Sequence, residues 1–274
     1  MTTLSIARST APIRALHLIG ALGALLALAI LGASILLRLT SVIGVDDVVR
    51  STLPADTENA VRMVHRLSAS GVGILALLVT VLGWMQRRVV PRAVKPVLLL
   101  VGATVLLAVI GPLTPGYRFS VVTVVNVVAG TVLLGSCWWL RETLAIGPVL
   151  PQKAPHPMMR LAFIVLFIHV GLGALASALE MRGTHWVAFV HAGSGMLTTL
   201  LLGSILWDRH SAPHLKRVTG IMAGLLVVQV ALGVVSLFIG GRPVGLGFAH
   251  AMLSPLLAGG LVSIAVRDGT IATD

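Results

Sequence analysis

Eight long apolar segments dominate the sequence, at residues 16–37, 61–85, 94–113, 119–140, 158–179, 186–207, 218–239 and 244–266. Each is close to the roughly 20 residues that a helix needs to cross the hydrocarbon core of a bilayer. None alternates apolar and polar residues as the strands of a membrane β-barrel do. The mean hydropathy of +1.00 and the charged fraction of 11% agree with membrane insertion. The sequence therefore predicts an all-α integral membrane protein with eight transmembrane helices.

The distribution of positive charge predicts the orientation of these helices. With a cytoplasmic N-terminus, 13 of the 20 lysines and arginines fall on cytoplasmic segments and seven on outer segments. Such an excess is typical of cytoplasmic loops. We therefore expect a multi-pass protein of the cell inner membrane with both termini in the cytoplasm. A net charge of +11 could suggest nucleic acid as a partner, but the asymmetric distribution of the basic residues indicates membrane lipid instead.

A proline-rich connection predicts two halves, residues 1–147 and 148–274. His191 follows His65 by 126 positions, and His250 follows Asn126 by 124 positions. Near-equal offsets are typical of an internal duplication. Because each half holds an even number of spans, both copies would share one topology. We expect two tandem four-helix bundles related by a pseudo-twofold axis along the membrane normal.

Two histidines in apolar surroundings predict a cofactor site. His191 and His250 each lie about five residues inside their span, which places both some 8 Å below the same membrane face at about 1.5 Å per residue. An intramembrane ionisable group is costly and by default functional. Two imidazoles from facing helices suit a haem iron ligated on both axial sides. Zinc would need three or four ligands, and a proton relay usually recruits carboxylates. We predict a b-type haem between His191 and His250.

A second set of residues lies at similar depth or at the outer interface. His65 on the second span is a candidate ligand for a second haem iron, and Asn126 on the fourth span is a candidate for cofactor contact or for a hydrogen bond to a neighbouring helix. Arg66 is expected either to reach the lipid headgroups or to bind an anionic ligand group. The candidate partners of haem propionates are charge-assisted hydrogen-bond donors at the outer face, namely Arg66, Arg118, Arg182 and Arg242.

Further residues bear on how closely the helices and a cofactor can approach one another. Glycines near the two ligands, Gly193, Gly195 and Gly247, would let a flat macrocycle approach the backbone. His169 stands alone and deeper on the fifth span, where we expect a packed histidine bonded to a neighbour. Gln229 and Gly233 predict close helix packing with a polar contact on the seventh span. The only cysteine is Cys137, so neither a disulfide nor a multi-cysteine metal site is expected.

Taken in order, these motifs resemble the heme A synthase family of cytochrome oxidase assembly proteins. They are RLT at the end of the first span, HR at the start of the second, a histidine on the sixth, QxxLG on the seventh and a histidine on the eighth. The resemblance covers most of the chain. It implies a bis-histidine haem b in the C-terminal half, a substrate haem half built on His65, and oxidation of a methyl group of heme O toward heme A. The implied partners are a heme O-producing enzyme or subunits of a respiratory complex.

The N-terminal half departs from the family pattern in two places. The family has a ligand histidine on its fourth span, where this chain offers Val122 or Asn126. It also has a glutamate three residues before the second-span histidine, where this chain has Arg62; Glu58 is two turns from His65. An alternative function is therefore a non-catalytic b-type cytochrome, or a haem-holding membrane subunit of a respiratory complex, that uses only the C-terminal pair.

Overall fold

Eight long helices make up most of the part of the chain that the computed structural model describes, residues 11–43, 49–113, 120–145, 157–180, 186–239 and 243–269. Within these residues, all eight are long and apolar enough to cross a membrane, which confirms the predicted all-α, eight-span fold. In chain order they are α1 (Ala11–Leu39), α2 (Ala55–Gln86), α3 (Val94–Ile110), α4 (Ser120–Ala145), α5 (Pro157–Glu180), α6 (Trp186–Arg209), α7 (Lys216–Phe238) and α8 (Val244–Arg267).

The described parts of the connection between α1 and α2 contain strands that the sequence does not predict. Two short strands, β1 (Ser41–Ile43) and β2 (Val49–Ser51), form an antiparallel pair. Helix α2 then begins at Ala55, six residues before the predicted span, with Asp56 and Glu58 in its first turn. Acidic side chains are favourable there because the helix dipole is positive at its N-terminus. The predicted polar loop therefore contributes two additional helical turns.

The eight helices form two four-helix rings. In the N-terminal ring, α1 contacts α2 and α4, and α3 also contacts α2 and α4. The C-terminal ring repeats this pattern with α5 to α8. Helices α2 and α4 are therefore diagonal partners in one ring, and α6 and α8 are diagonal partners in the other. We call the end of the bundle that carries Leu39, Ala55 and Trp186 the outer end. The twofold relation between the halves stays a prediction.

The two rings pack together through α1 and α4 on one side and α5 and α8 on the other. At the inner end, the Trp138 indole nitrogen donates to the Ser263 hydroxyl at 2.7 Å. The Glu142 side chain, 1% exposed, accepts from Arg267 at 3.0 Å and from Arg141 at 2.8 Å. A buried carboxylate is tolerated only with such partners. These contacts tie α4 to α8 at the inner end of the interface between the two rings.

Large apolar side chains cover the outside of the bundle. Leu77 on α2, Phe189 on α6 and Phe238 on α7 are 72%, 75% and 83% exposed. Apolar exposure of this extent is unfavourable in water and is expected of helices that face lipid tails. The protein is therefore a multi-pass membrane protein in a lipid environment.

Candidate functional site

Three histidines come together inside the C-terminal ring. His169 lies on α5, His191 on α6 and His250 on α8. The rings of His169 and His191 stack with centroids 4.2 Å apart and planes 8° apart. The rings of His191 and His250 have centroids 6.1 Å apart and planes at 86°. The expectation that His169 stands alone is therefore wrong, since it lies face to face with His191.

The separation of His191 and His250 fits an iron atom between them. An iron held by two imidazole nitrogens at about 2.0 Å from each would set the ring centroids roughly 6 Å apart. The two imidazoles belong to diagonal helices, so they approach the centre of the four-helix ring from opposite sides. Both are half-buried and keep accessible surface. The residues present therefore fit a bis-histidine haem.

Each histidine ring packs against a glycine of the neighbouring helix. A β-carbon on Gly173 of α5 would lie 2.9 Å from Cε1 of His191, and one on Gly233 of α7 would lie 3.2 Å from Cε1 of His250. Contacts this short require the neighbour to move. In the same way, a β-carbon on Gly195 would lie 3.1 Å from Cε1 of His169. The glycines let each ring approach the backbone of the next helix.

The glycines predicted to admit a macrocycle have other neighbours. Gly195 accommodates the His169 ring, and a β-carbon on Gly247 would touch the Leu39 side chain at 3.4 Å. Gly193 has open space at its β-position. The glycines that touch the two candidate ligands lie on α5 and α7, because the neighbouring helix, and not the ligand's own helix, faces the ring.

Ser194 links His169 to the backbone of His191. Its hydroxyl donates to the His191 carbonyl oxygen at 2.7 Å and lies 3.0 Å from Nδ1 of His169. A serine hydroxyl has a single proton, so the His169 tautomer that carries its proton on Nδ1 would satisfy both contacts of the hydroxyl. The expectation of a packed histidine bonded to a neighbour is confirmed for this side chain, which is 6% exposed.

Helices α7 and α8 contact each other through the predicted polar pair. The Gln229 amide nitrogen donates to the Ser254 hydroxyl at 2.9 Å, with both side chains buried. One turn further out, Gly233 faces His250. The predicted polar contact of Gln229 and close packing at Gly233 are thus confirmed, and together they fix the register that brings His250 into the ring.

The N-terminal ring carries fewer candidate ligands. His65 is half-buried and continues the inward seam of α2 formed by Ser68, Val72 and Ala76. Asn126 is half-buried on the face of α4 that contains Gly130, which contacts Leu31 of α1. Both residues therefore lie on inward faces of diagonal helices, which is the arrangement of His191 and His250, but with a single imidazole.

The arginines of the N-terminal ring differ in environment. Arg66 is exposed beside the exposed Met63 and Leu67, which favours contact with lipid headgroups. Arg62 donates from Nε to Glu58 at 2.8 Å. The remaining candidate propionate partners, Arg118, Arg182 and Arg242, lie outside the described residues.

Arg38 is a buried charge that the sequence assigned to the outer interface. Its side chain is 6% exposed at the outer end of α1. The next residue, Leu39, packs against Gly247 of α8, one turn from His250. Burial of a guanidinium requires compensating partners. The RLT motif marked this position, but hydropathy alone did not indicate its burial.

A groove between α3 and α4 is apolar, unlike the histidine cluster of the C-terminal ring. It has a volume of about 370 Å³ and is lined by apolar residues that include Leu99, Leu106, Val125 and Val132. Leu99 and Leu106 are exposed on the outside of the bundle. The groove suits a hydrocarbon chain and provides no metal ligand.

No family model matches the sequence of this chain, and no curated protein matches it. Among the described residues, no group of three or more histidine, cysteine, aspartate or glutamate side chains is placed to hold a metal ion. An iron with two protein ligands, its other positions filled by a macrocycle, remains compatible with the histidine pair.

Proposed function

We propose that this protein is a membrane haem protein in which His191 and His250 are the two axial ligands of a b-type haem. The observation that carries the proposal is the 6.1 Å separation of two imidazole rings offered from diagonal helices. When bound there, the haem supplies one-electron redox chemistry. The chain's own residues provide the ligands, seat them against Gly173 and Gly233, and surround the site with apolar helices.

Charge at the outer end supports the same proposal. Haem carries two propionates, and a buried arginine is a favourable partner for a carboxylate because the hydrogen bond is charge-assisted. Arg38 is buried at the outer end of α1, next to a residue that packs on α8 near His250. We propose Arg38, together with Arg118, Arg182 and Arg242, as the residues that face the propionates.

The test is the haem content of the purified protein. One haem b per chain with a low-spin spectrum is expected, and His250→Ala should lose it. His191→Ala should be combined with His169→Phe, because the adjacent His169 imidazole would otherwise be available as a replacement ligand. His210→Ala is the matched control, since His210 also pairs with a hydroxyl, that of Thr219 at 3.1 Å, but lies between α6 and α7 at the inner end. A colourless wild-type protein would refute the proposal.

A second candidate function is the heme A synthase-like oxidation of heme O. Its support is the family resemblance and the inward placement of His65 and Asn126 on diagonal helices. A second haem would then bind through His65 in the N-terminal ring, with a heme O-producing enzyme or respiratory subunits as partners. Co-expression with a heme O-producing enzyme, followed by identification of extracted haems, tests it. Hydroxylated or formyl haem is expected; unchanged heme O after aerobic turnover would exclude it.

We propose that the protein lies in the cell inner membrane with both termini in the cytoplasm, as the charge asymmetry predicts. Because Cys137 is buried, single cysteines introduced at exposed positions can be labelled selectively. Thr57→Cys at the outer end should react with an impermeant maleimide in intact cells. Ser211→Cys, between α6 and α7, should react only in inverted vesicles. The opposite pattern would reverse the orientation.

A further inference from the structure

The contact between His169 and His191 restrains the orientation of a ligand ring. A histidine ring turns about its Cβ–Cγ bond in a broad, roughly twofold torsional potential. His191 is half-buried, so its own surroundings restrain this rotation only in part. The His169 ring covers one face of it at 4.2 Å with an 8° angle between planes. Any large rotation of His191 would break this stack.

The His169 ring is itself held by its burial and by two contacts at its edge. Its side chain is 6% exposed, its Nδ1 lies 3.0 Å from the Ser194 hydroxyl, and its Cε1 edge lies against Gly195. Ser194 is anchored in turn to the His191 carbonyl oxygen at 2.7 Å. The plane of the His169 ring is therefore fixed by Ser194, Gly195 and its own burial, and the stacked His191 ring follows that plane.

The orientation that results is nearly perpendicular to the opposite ligand. The planes of His191 and His250 differ by 86°. In a ferric low-spin haem, perpendicular imidazole planes leave two of the iron d orbitals almost equal in energy, whereas parallel planes separate them. The orientation of axial ligands is one of the means by which a protein tunes a haem.

We propose that His169 is a positioning residue that holds the His191 ring perpendicular to the His250 ring and so sets the electronic structure of an iron bound between them. This inference rests on the proposed haem site. His169 would not be a ligand of the iron and would act only through its contact with His191. A purely structural role for His169 would affect stability without a specific change in ligand orientation.

Electron paramagnetic resonance of the ferric protein in detergent tests this proposal. The wild type should give the strongly anisotropic low-spin signal, with one prominent low-field feature, that perpendicular ligands produce. His169→Ala removes the stacked ring and should convert this signal to the three-line rhombic form. His169→Phe keeps a flat ring without the hydrogen bond and should retain the wild-type signal. His210→Phe, a substitution of the histidine that pairs with Thr219, is the control and should change nothing.

The outcomes separate the two proposals. Absence of haem from the wild type refutes the proposed function. Haem with a rhombic wild-type signal, or an anisotropic signal that persists in His169→Ala, overturns the positioning role and leaves the haem site standing. An equal change in His169→Ala and His169→Phe also overturns it, because the hydrogen bond would then be responsible. If His169→Ala does not retain haem, His169→Leu fills the volume without a flat ring and replaces it in the same comparison.

Discussion

The two four-helix rings have the same order of helix contacts but different interiors. In the C-terminal ring, three imidazoles lie together, each seated against a glycine of the next helix. In the N-terminal ring, His65 is the one histidine at comparable depth on the described inward faces, and Asn126 lies on the helix diagonal to it. A shared architecture therefore does not imply a shared site. The two rings differ in the number of imidazoles and in the glycines beside them, which are the features that the proposed haem site requires.

The largest expected effect comes from adding the missing imidazole. Asn126→His would place a histidine on α4 across the ring from His65, as His250 on α8 lies across from His191. We expect the haem content to rise from one to two per chain, a gain of at least about a hundredfold in affinity at the N-terminal ring. Pyridine haemochrome quantification checks the stoichiometry.

Two variants control the Asn126→His experiment. Asn126→Gln keeps an amide and should bind no additional haem. Asn126→His combined with His65→Ala should return the content to one, because an imidazole pair is again incomplete. An unchanged content of one haem in Asn126→His itself would show that a second histidine does not account for the difference between the rings.

A smaller effect is expected from filling the glycine beside a ligand. Gly173→Ala places a methyl carbon 2.9 Å from His191, and such overpacking costs on the order of 1–3 kcal/mol. We expect haem affinity to fall about tenfold, measured by haem transfer to a competing apoprotein.

Matched substitutions show whether this glycine effect belongs to the C-terminal ring. Gly71→Ala creates the same 2.9 Å contact in the N-terminal ring, with Leu26, and Gly220→Ala adds a methyl group on α7 where space is open. Both should keep wild-type haem affinity. Equal losses of haem affinity in Gly71→Ala and Gly173→Ala would mean that the general stability of the protein, and not the contact between His191 and Gly173, controls haem binding.

The smallest effect is expected at the α7–α8 contact. Gln229→Leu removes the hydrogen bond to Ser254, and interhelical bonds of this kind contribute about 0.6 kcal/mol in membranes. We expect a slightly lower unfolding free energy in detergent with haem still bound, measured by denaturant titration followed by absorption and circular dichroism. Complete haem loss would assign Gln229 a direct part in the site.

Much of the fold follows from hydropathy, while the site depends on helix register. The eight spans are recognisable because each must bury about 20 residues in hydrocarbon. From the sequence, His169 lies mid-span on the fifth helix, alone and deeper than His191. In the structure, Gly173 of α5 lies against His191 of α6, and His169 of α5 lies against Gly195 of α6. This alignment of two neighbouring helices cannot be read from the sequence of either helix alone. For the same reason, the burial of Arg38 depends on the neighbours of α1.

The most direct measurement is the position of iron in the protein, from anomalous diffraction at the iron absorption edge of crystals of the wild type. We expect an iron peak in the C-terminal ring, about 2 Å from one ring nitrogen of His191 and one of His250. Iron bound only at His65, or crystals without an iron peak from protein supplied with haem, would contradict it.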